Sequence, residues 1–396
     1  MGPADKVFFP YKVPTQKPSI PLSRAMERAY THYPAPTYLW NELYTQFRFT
    51  PIEGLDYSNH DGTLTRRDPS KIIRAKGKYY VWYTRRCTET PPRGPQSASD
   101  TVPSYDWDLA EIWYATSEDG FVWQEEGLAV PRASHPLPGW RTVCTPDILY
   151  WKGKYYLYYQ AYTEVPGTHG DDCAASVAWA DSPDGPWTPT HEIVLPNGPE
   201  GAWDRYSIHD PYPLVYRGRI YLYYKSDCNA PELVRLLGLA IADNPLGPFE
   251  KHPLNPVLNS GHETCFFPFR EGIAAIVTRH GNENNTIQYA PDGVNFEVAA
   301  HASLLPLSPA PYIPDAFSDS GDGKGITWGL GHFTHIGAPN ASHSILARFD
   351  CDLRQGEHEE WARETEHFWP PEFYFHSGLS AELKRQRAEQ GRKELQ

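Results

Sequence analysis

The sequence predicts an all-β chain folded as a five-bladed β-propeller, preceded by a helix-turn-helix arm. Three observations predict it. The first is a repeating module. An acid opens a short apolar strand, a Gly-Lys or Gly-Arg turn follows, and then comes a strand dense in aromatics. It reads Asp68-Pro69-Ser70 before Gly77-Lys78-Tyr79-Tyr80, Thr145-Pro146-Asp147-Ile148 before Gly153-Lys154-Tyr155-Tyr156, and His209-Asp210-Pro211 before Gly218-Arg219-Ile220-Tyr221. The second is spacing. The anchor glycines Gly77, Gly153, Gly218, Gly272 and Gly325 lie 76, 65, 54 and 53 residues apart, which suits units of four strands. The third is composition. With 26 Tyr and 13 Trp in 396 residues, the chain is rich in rings that favour β structure and stack well. Sheets that cannot bury both faces alone must stack radially, whereas a two-sheet sandwich would not repeat this order.

Taken in order, residues 1–20 are Pro-rich and extended. Leu22 to Thr31 has helical spacing of Met26 and Ala29. Tyr33-Pro34-Ala35-Pro36 breaks that helix. Thr37 is placed to cap a second one reaching Arg48, with Leu39, Leu43 and Phe47 on one face. This arm is too small to fold alone, so it must pack on the body or on another subunit. From about residue 60 short strands alternate with Gly, Pro, Asp and Asn turns. The third and fourth strands of each unit recur around Trp113-Tyr114-Ala115, Val177-Ala178-Trp179, Leu239-Ala240-Ile241 and Ile287-Gln288-Tyr289, and more weakly around Ser344-Ile345-Leu346. Past residue 355 the chain becomes charged and ends in a helical run from Ser380 to Gln396. The division is therefore an arm over 1–58, the propeller over 59–355 and an extension over 356–396.

A net charge of -13 argues against nucleic acid or an anionic membrane as partner. No apolar run is long enough to span a bilayer. The first 20 residues lack a basic and an apolar signal region, which points to the cytoplasm, or to the periplasm if a leader has been removed. The six cysteines are scattered without a C-x-x-C pair, so buried free thiols are expected rather than a zinc or disulfide framework.

In a propeller, residues opening the inner strands converge at one mouth of the central channel. Asp68, Asp147 and Asp210 open the first three, Gly261-His262-Glu263-Thr264 the fourth and Pro314-Asp315 the fifth. Carboxylates brought so close shift one another's pKa values and suit glycoside hydrolysis. Asp before Pro is also a common turn former, and recurrence is what separates these acids from ordinary turns. Trp107, Trp140, Trp203 and Trp328 lie in loops or near strand starts. Of these, Trp107 and Trp203 are taken as candidates to stack on a sugar, beside Arg67 and Asp147 as binding residues. No H-E-x-x-H and no Gly-x-Ser-x-Gly occurs.

These residues, with Tyr38-Leu39-Trp40-Asn41, Arg67-Asp68-Pro69-Ser70-Lys71 and Gly261-His262-Glu263, resemble glycoside hydrolase family 117, the 3,6-anhydro-α-L-galactosidases, within a clan that includes families 43 and 62. The resemblance runs over nearly the whole chain. It implies an inverting mechanism with Asp68 as general base and His262 as general acid. Asp210 and Glu263 match supporting carboxylates. Glu263 and the acidic mouth are expected to favour the imidazolium of His262. The resemblance also implies neoagaro-oligosaccharide substrates, no required cofactor, and a homodimer that exchanges the N-terminal arm. A structural divalent cation in the channel is an added expectation from the acids. A differently specific or arabinosidase-like glycosidase, or a non-catalytic sugar-binding propeller, is the alternative. The loops Cys87–Trp107 and Thr163–Asp172 are the expected specificity elements.

Overall fold

A computed structural model of the chain describes residues 8–31, 41–55, 60–168, 173–228, 234–302, 304–314, 316–336 and 343–364. The described chain is nearly all antiparallel β, in five sets of strands. The first set holds β2 (Leu64–Arg67) and β3 (Ile73–Ala75), both paired with β4 (Lys78–Cys87), then β5 (Glu111–Ser117) and β6 (Trp123–Val130). The second runs β7 (Thr142–Trp151), β8 (Lys154–Tyr162), β9 (Ala174–Ala180) and β10 (Thr188–Leu195). The third runs β11 (His209–Tyr216), β12 (Arg219–Cys228), β13 (Val234–Ala242) and β14 (Glu250–Lys251). The fourth runs β15 (Cys265–Arg270), β16 (Gly272–Val277), β17 (Thr286–Ala290) and β18 (Glu297–His301).

The last set joins both ends of the described chain. β19 (Leu307–Pro311) pairs with β20 (Gly323–Ile336), β20 with β21 (His343–Arg354), and β21 with β1 (Arg48–Pro51). A short β15–β20 contact merges it with the fourth set. It also meets the first set, where Ile72 N–H donates to Pro311 O at 2.9 Å. The sheet thus reaches back across residue 58.

Local chemistry explains the hairpins. Lys76-Gly77, Lys152-Gly153 and Arg217-Gly218 are two-residue turns with positive φ at both positions, the geometry that matches strand twist. Gly325 instead lies within β20 and Gly272 begins β16, so the glycine ruler marks hairpin turns only in the first three units. The aromatic strands pack set against set. Trp82 is fully buried and meets Trp187 edge-on, and Tyr223 stacks on Phe266 with centroids 3.9 Å apart. Tyrosine hydroxyls tie each of the first three sets to the outer turn of the next: Tyr80 to Asp184, Tyr158 to Pro245 O and Tyr223 to Gly293 O. In these three tyrosines the apolar ring and the hydroxyl are satisfied together.

Two expectations need correction. Helix α1 is Arg24–Arg28 only; Ser23 Oγ caps it by accepting from Met26 N–H and itself donates to Pro256 O. Over its described part, the second helix is absent: residues 41–47 are turn and coil, and Arg48 begins β1. The backbone N–H groups find other acceptors. Leu43 donates to Asn41 Oδ1 and Gln46 donates to Ala362 O. Leu43, Tyr44 and Phe47 still enter the core, which is why their spacing imitates a helix. The expected helix over 380–396 and the Trp369–His376 segment lie outside the described residues. No described helix is long and apolar enough to cross a membrane.

Candidate active site

Each inner strand opens on a residue with positive φ: Asp68 (47°), Thr145 (48°), Asp210 (50°), Glu263 (53°) and Ser308 (47°). Pro follows four of them. The ladder slips at three, between Cys144 and Asp147, His209 and Tyr212, and Leu307 and Ala310. Such bulges re-aim side chains at functional rims, and each left-handed non-Gly residue costs about 1–3 kcal/mol. Hydrogen bonds from the preceding set offset that strain. Asp68 N–H donates to His332 Nδ1 (3.0 Å), Thr145 N–H to Thr84 Oγ1 (2.7 Å), Asp210 N–H to Gln160 Oε1 (3.0 Å) and Glu263 N–H to Asp210 Oδ2 (3.0 Å).

Asp68, Thr145, Asp210 and Glu263 line a cavity of about 360 Å³ together with Arg67, Trp107, Lys225, Arg235, His262 and Arg279, whereas Ser308 lines a separate small void. Arg67 is its hub. The guanidinium lies 2.8 Å from Asp68 Oδ2, 3.4 Å from Asp106 Oδ2 and 3.3 Å from Glu263 Oε1, and rests 5.0 Å from the Trp107 ring centre. Trp107 in turn stacks on Tyr105.

Asp68 is buried. Burial alone would raise its pKa, but Arg67, His332 and hydrogen bonds from Arg67 and Thr84 outweigh that and hold it below the usual carboxylate range. Its Oδ1 has no hydrogen-bond partner. His332 is neutral, pushed down mainly by burial. Its Nδ1 accepts from Asp68 N–H, so its proton sits on Nε2.

His262 reverses the expectation made for it. Its Nε2 is 3.6 Å from Glu263 Oε1, yet its pKa lies well below the imidazole norm. Burial is the largest cause, followed by the cations Lys225, Arg279 and Arg235 and by His280. In the free protein the ring is neutral, because Glu263 is shared with Arg67 and Arg279 while three cations face the ring. Its Nδ1 lies 3.0 Å from His280 Nδ1, with the rings stacked.

One model for glycosyl hydrolases of family 43 matches residues 63–237. No curated protein matches the chain. Among solved structures, Zg3597, a family 117 glycoside hydrolase of the marine bacterium Zobellia galactanivorans, is 55% identical, with a TM-score of 0.80 over 86% of this chain and 100% of its own. The chain belongs to glycoside hydrolase family 117. The catalytic domain of a Coprinopsis cinerea family 62 α-L-arabinofuranosidase (11% identity, TM-score 0.54, 79% and 99% covered) and a thermostable family 43 glycoside hydrolase (16%, 0.50, 81% and 96%) share the fold alone.

In this family 117 glycoside hydrolase, Asp68, Asp210, His262, Glu263, Arg67 and Trp107 all reach the cavity. Asp147 does not. It stands two residues beyond the position that matches Asp68 and Asp210, which is Thr145. Its carboxylate is buried against Lys71 Nζ at 2.8 Å, beside a separate void of about 20 Å³. Trp203 is buried too, stacked on Tyr224 in the core. The fifth opener is Ser308 rather than Asp315, which lies outside the described residues. Three of the residues missed from the sequence share one signal. Thr84, Gln160 and Lys225 each fall six residues after Lys78, Lys154 and Arg219, the first residues of the aromatic strands.

Asp68, Glu263 and His332 could bring ligand atoms within 4.8 Å of one another. The set suits a divalent ion poorly. Arg67 already neutralises both acids, and Arg279 reinforces Glu263. An ion would have to compete with buried fixed charge.

Proposed function

We propose that this glycoside hydrolase is an inverting, exo-acting 3,6-anhydro-α-L-galactosidase. It cleaves the α-1,3 linkage of neoagarobiose and longer neoagaro-oligosaccharides and releases 3,6-anhydro-L-galactose. Asp68 acts as base: its carboxylate takes a proton from the water that attacks the anomeric carbon. His262 acts as acid through Nε2, protonating the departing oxygen. Asp210 and Glu263 orient substrate, and Arg67 keeps Asp68 charged. The observation that carries this reading is that Asp68, held ionised by Arg67, shares one cavity with His262, whose Nε2 has Glu263 Oε1 beside it only at 3.6 Å. A cavity of this size is in the range of small-ligand sites, about 300–1,000 Å³. Burial first, and then the cations around His262, make its charged form a strong acid and a minority species at neutral pH. The rate therefore rises as pH falls through the ordinary imidazole range near 6.5.

Incubation with neoagarobiose, following galactose release by chromatography, tests the reading. Release by wild type and loss in His262→Ala support it; inert wild-type protein overturns it. A second reading keeps the same pair but another oligosaccharide. Lys225, Arg235 and Arg279 favour it, since a neutral disaccharide does not call for three cations in the wall.

Under the same proposal the five strand sets are five blades closed around one channel. The N-terminal arm is exchanged in a homodimer. The contacts of α1 to Pro256 O and of Arg28 to Glu283 and Glu297 are ones that a second copy's arm could equally make. Light scattering of the full chain checks the dimer.

A further inference from the structure

The turn after β16 carries a residue with no role so far. His280 stacks on His262 with ring centres 4.9 Å apart and an interplanar angle of 26°, and the two Nδ1 atoms are 3.0 Å apart. The backbones are fastened as well. Gly261 N–H donates to His280 O at 2.8 Å, Thr278 Oγ1 donates to His262 O at 2.7 Å, and His280 N–H donates to Thr278 O at 3.0 Å. The pair is held at fixed register by three bonds that involve neither ring.

Two nitrogens at that distance share one proton, so one donates and the other accepts. If His280 donated, His262 Nδ1 would be occupied as an acceptor. The ring could then not take a second proton without breaking the contact. A general acid must cycle between imidazolium and imidazole. Only the opposite polarity allows that cycle at constant geometry.

We propose that His280 is a positioning residue for this reaction: it accepts the Nδ1–H of His262 throughout turnover and leaves Nε2 as the nitrogen that gains and loses the proton. The inference rests on His262 being the acid. In each cycle the N–H bond at Nε2 breaks, its proton passes to the leaving oxygen, and solvent returns one. The Nδ1–H stays in place. His280 remains an acceptor because it stays neutral. Burial first, and then Arg235, Arg279 and Lys225, pull its pKa down to about 4, against an opposing pull from Asp227. The groups facing His262 are Glu263, Lys225, Arg235, Arg279 and His280.

The test reads imidazole nitrogens by ¹⁵N NMR in the free full-length protein, and kcat, KM and the pH profile on neoagarobiose. The wild type should show neutral His262 protonated at Nδ1. His280→Phe should lose that preference, lower kcat by on the order of 100-fold with little change in KM, and move the alkaline limb of the profile. His280→Gln, whose side-chain carbonyl can accept, should recover most of the rate. Neutral wild-type His262 protonated at Nε2 would overturn the inference, as would a His280→Phe enzyme with unchanged kcat and profile. If no substrate is turned over even by wild type, the glycosidase assignment fails, while the tautomer still decides the role of His280.

Discussion

Asp68 and Asp147 are both buried acids at the heads of inner strands, each bonded to a cation at 2.8 Å, yet they differ in kind. Asp68 is itself the left-handed residue, with φ 47°. Its Oδ2 is held by Arg67, its Oδ1 lies 3.4 Å from His332 Nδ1 without a hydrogen bond, and the residue lines the 360 Å³ cavity. Asp147 lies two residues further along. Its Oδ1 accepts from Lys71 Nζ, Lys71 N–H and Ile148 N–H, and it faces a void barely large enough for one water. Burial pushes the Asp147 pKa up against the pull of Lys71, and burial likewise lowers that of Lys71. For Asp68, Arg67 and its neighbours win over burial. Each acid has one oxygen without a hydrogen bond, Asp68 Oδ1 and Asp147 Oδ2, so the difference lies in charge and space. A carboxylate kept charged at the wall of a roomy cavity can take a proton; one enclosed with its own lysine holds strands together.

The largest effect should come from breaking the structural acid. Asp147→Asn leaves the Lys71 ammonium buried and unpaired, so urea denaturation should show a loss of about 3–5 kcal/mol, the usual cost of removing one partner of a buried pair. Replacing both residues, as in Lys71→Met with Asp147→Leu, should recover most of that loss. A smaller effect should follow from adding a carboxylate at the mouth. The Thr145 hydroxyl is 3.4 Å from Asp68 Oδ2. Thr145→Asp should therefore raise the Asp68 pKa by repulsion and move the acid limb of kcat/KM up by about one pH unit. An unmoved limb would separate Asp68 from the base role. The smallest effect concerns wild-type stability. His262, His280 and His332 are neutral in the fold with lowered pKa values, while the unfolded chain titrates near 6.5. Below about pH 6.5 the unfolded state binds more protons, so the melting temperature should decline as pH falls toward 4. Activity should climb over the upper part of that interval, giving opposite slopes in the two measurements.

Much of the fold was legible. The acid, turn and aromatic-strand module marks real hairpins in the first three units, and the aromatic strands form the walls between sets. The fourth and fifth units were harder because Gly272 and Gly325 do not occupy the turn position, and because β1 supplies a strand from far upstream. Apolar spacing at Leu43 and Phe47 could not separate a helix from a coil that dips into the core. The site was legible where the acid directly precedes Pro, as in Asp68 and Asp210. Asp147 falls outside that pattern because it follows Pro146 and no proline comes directly after it. Lys225, Gln160 and Thr84 carry a positional signal that a stricter alignment of the repeats reads directly. His332, Arg279 and His280 carry none, since their partners are distant in sequence and meet only through the fold.

The central contrast can be decided in one assay. Hydrolysis of neoagarobiose is compared for wild type, Asp68→Asn and Asp147→Asn at equal concentrations of folded protein. Asp68→Asn should lose about 10³-fold in kcat/KM, within the usual range for a general base, while Asp147→Asn stays within about threefold of wild type. Comparable rates in Asp68→Asn, or an equal loss in folded Asp147→Asn, would contradict the assignment of chemistry to one acid and structure to the other.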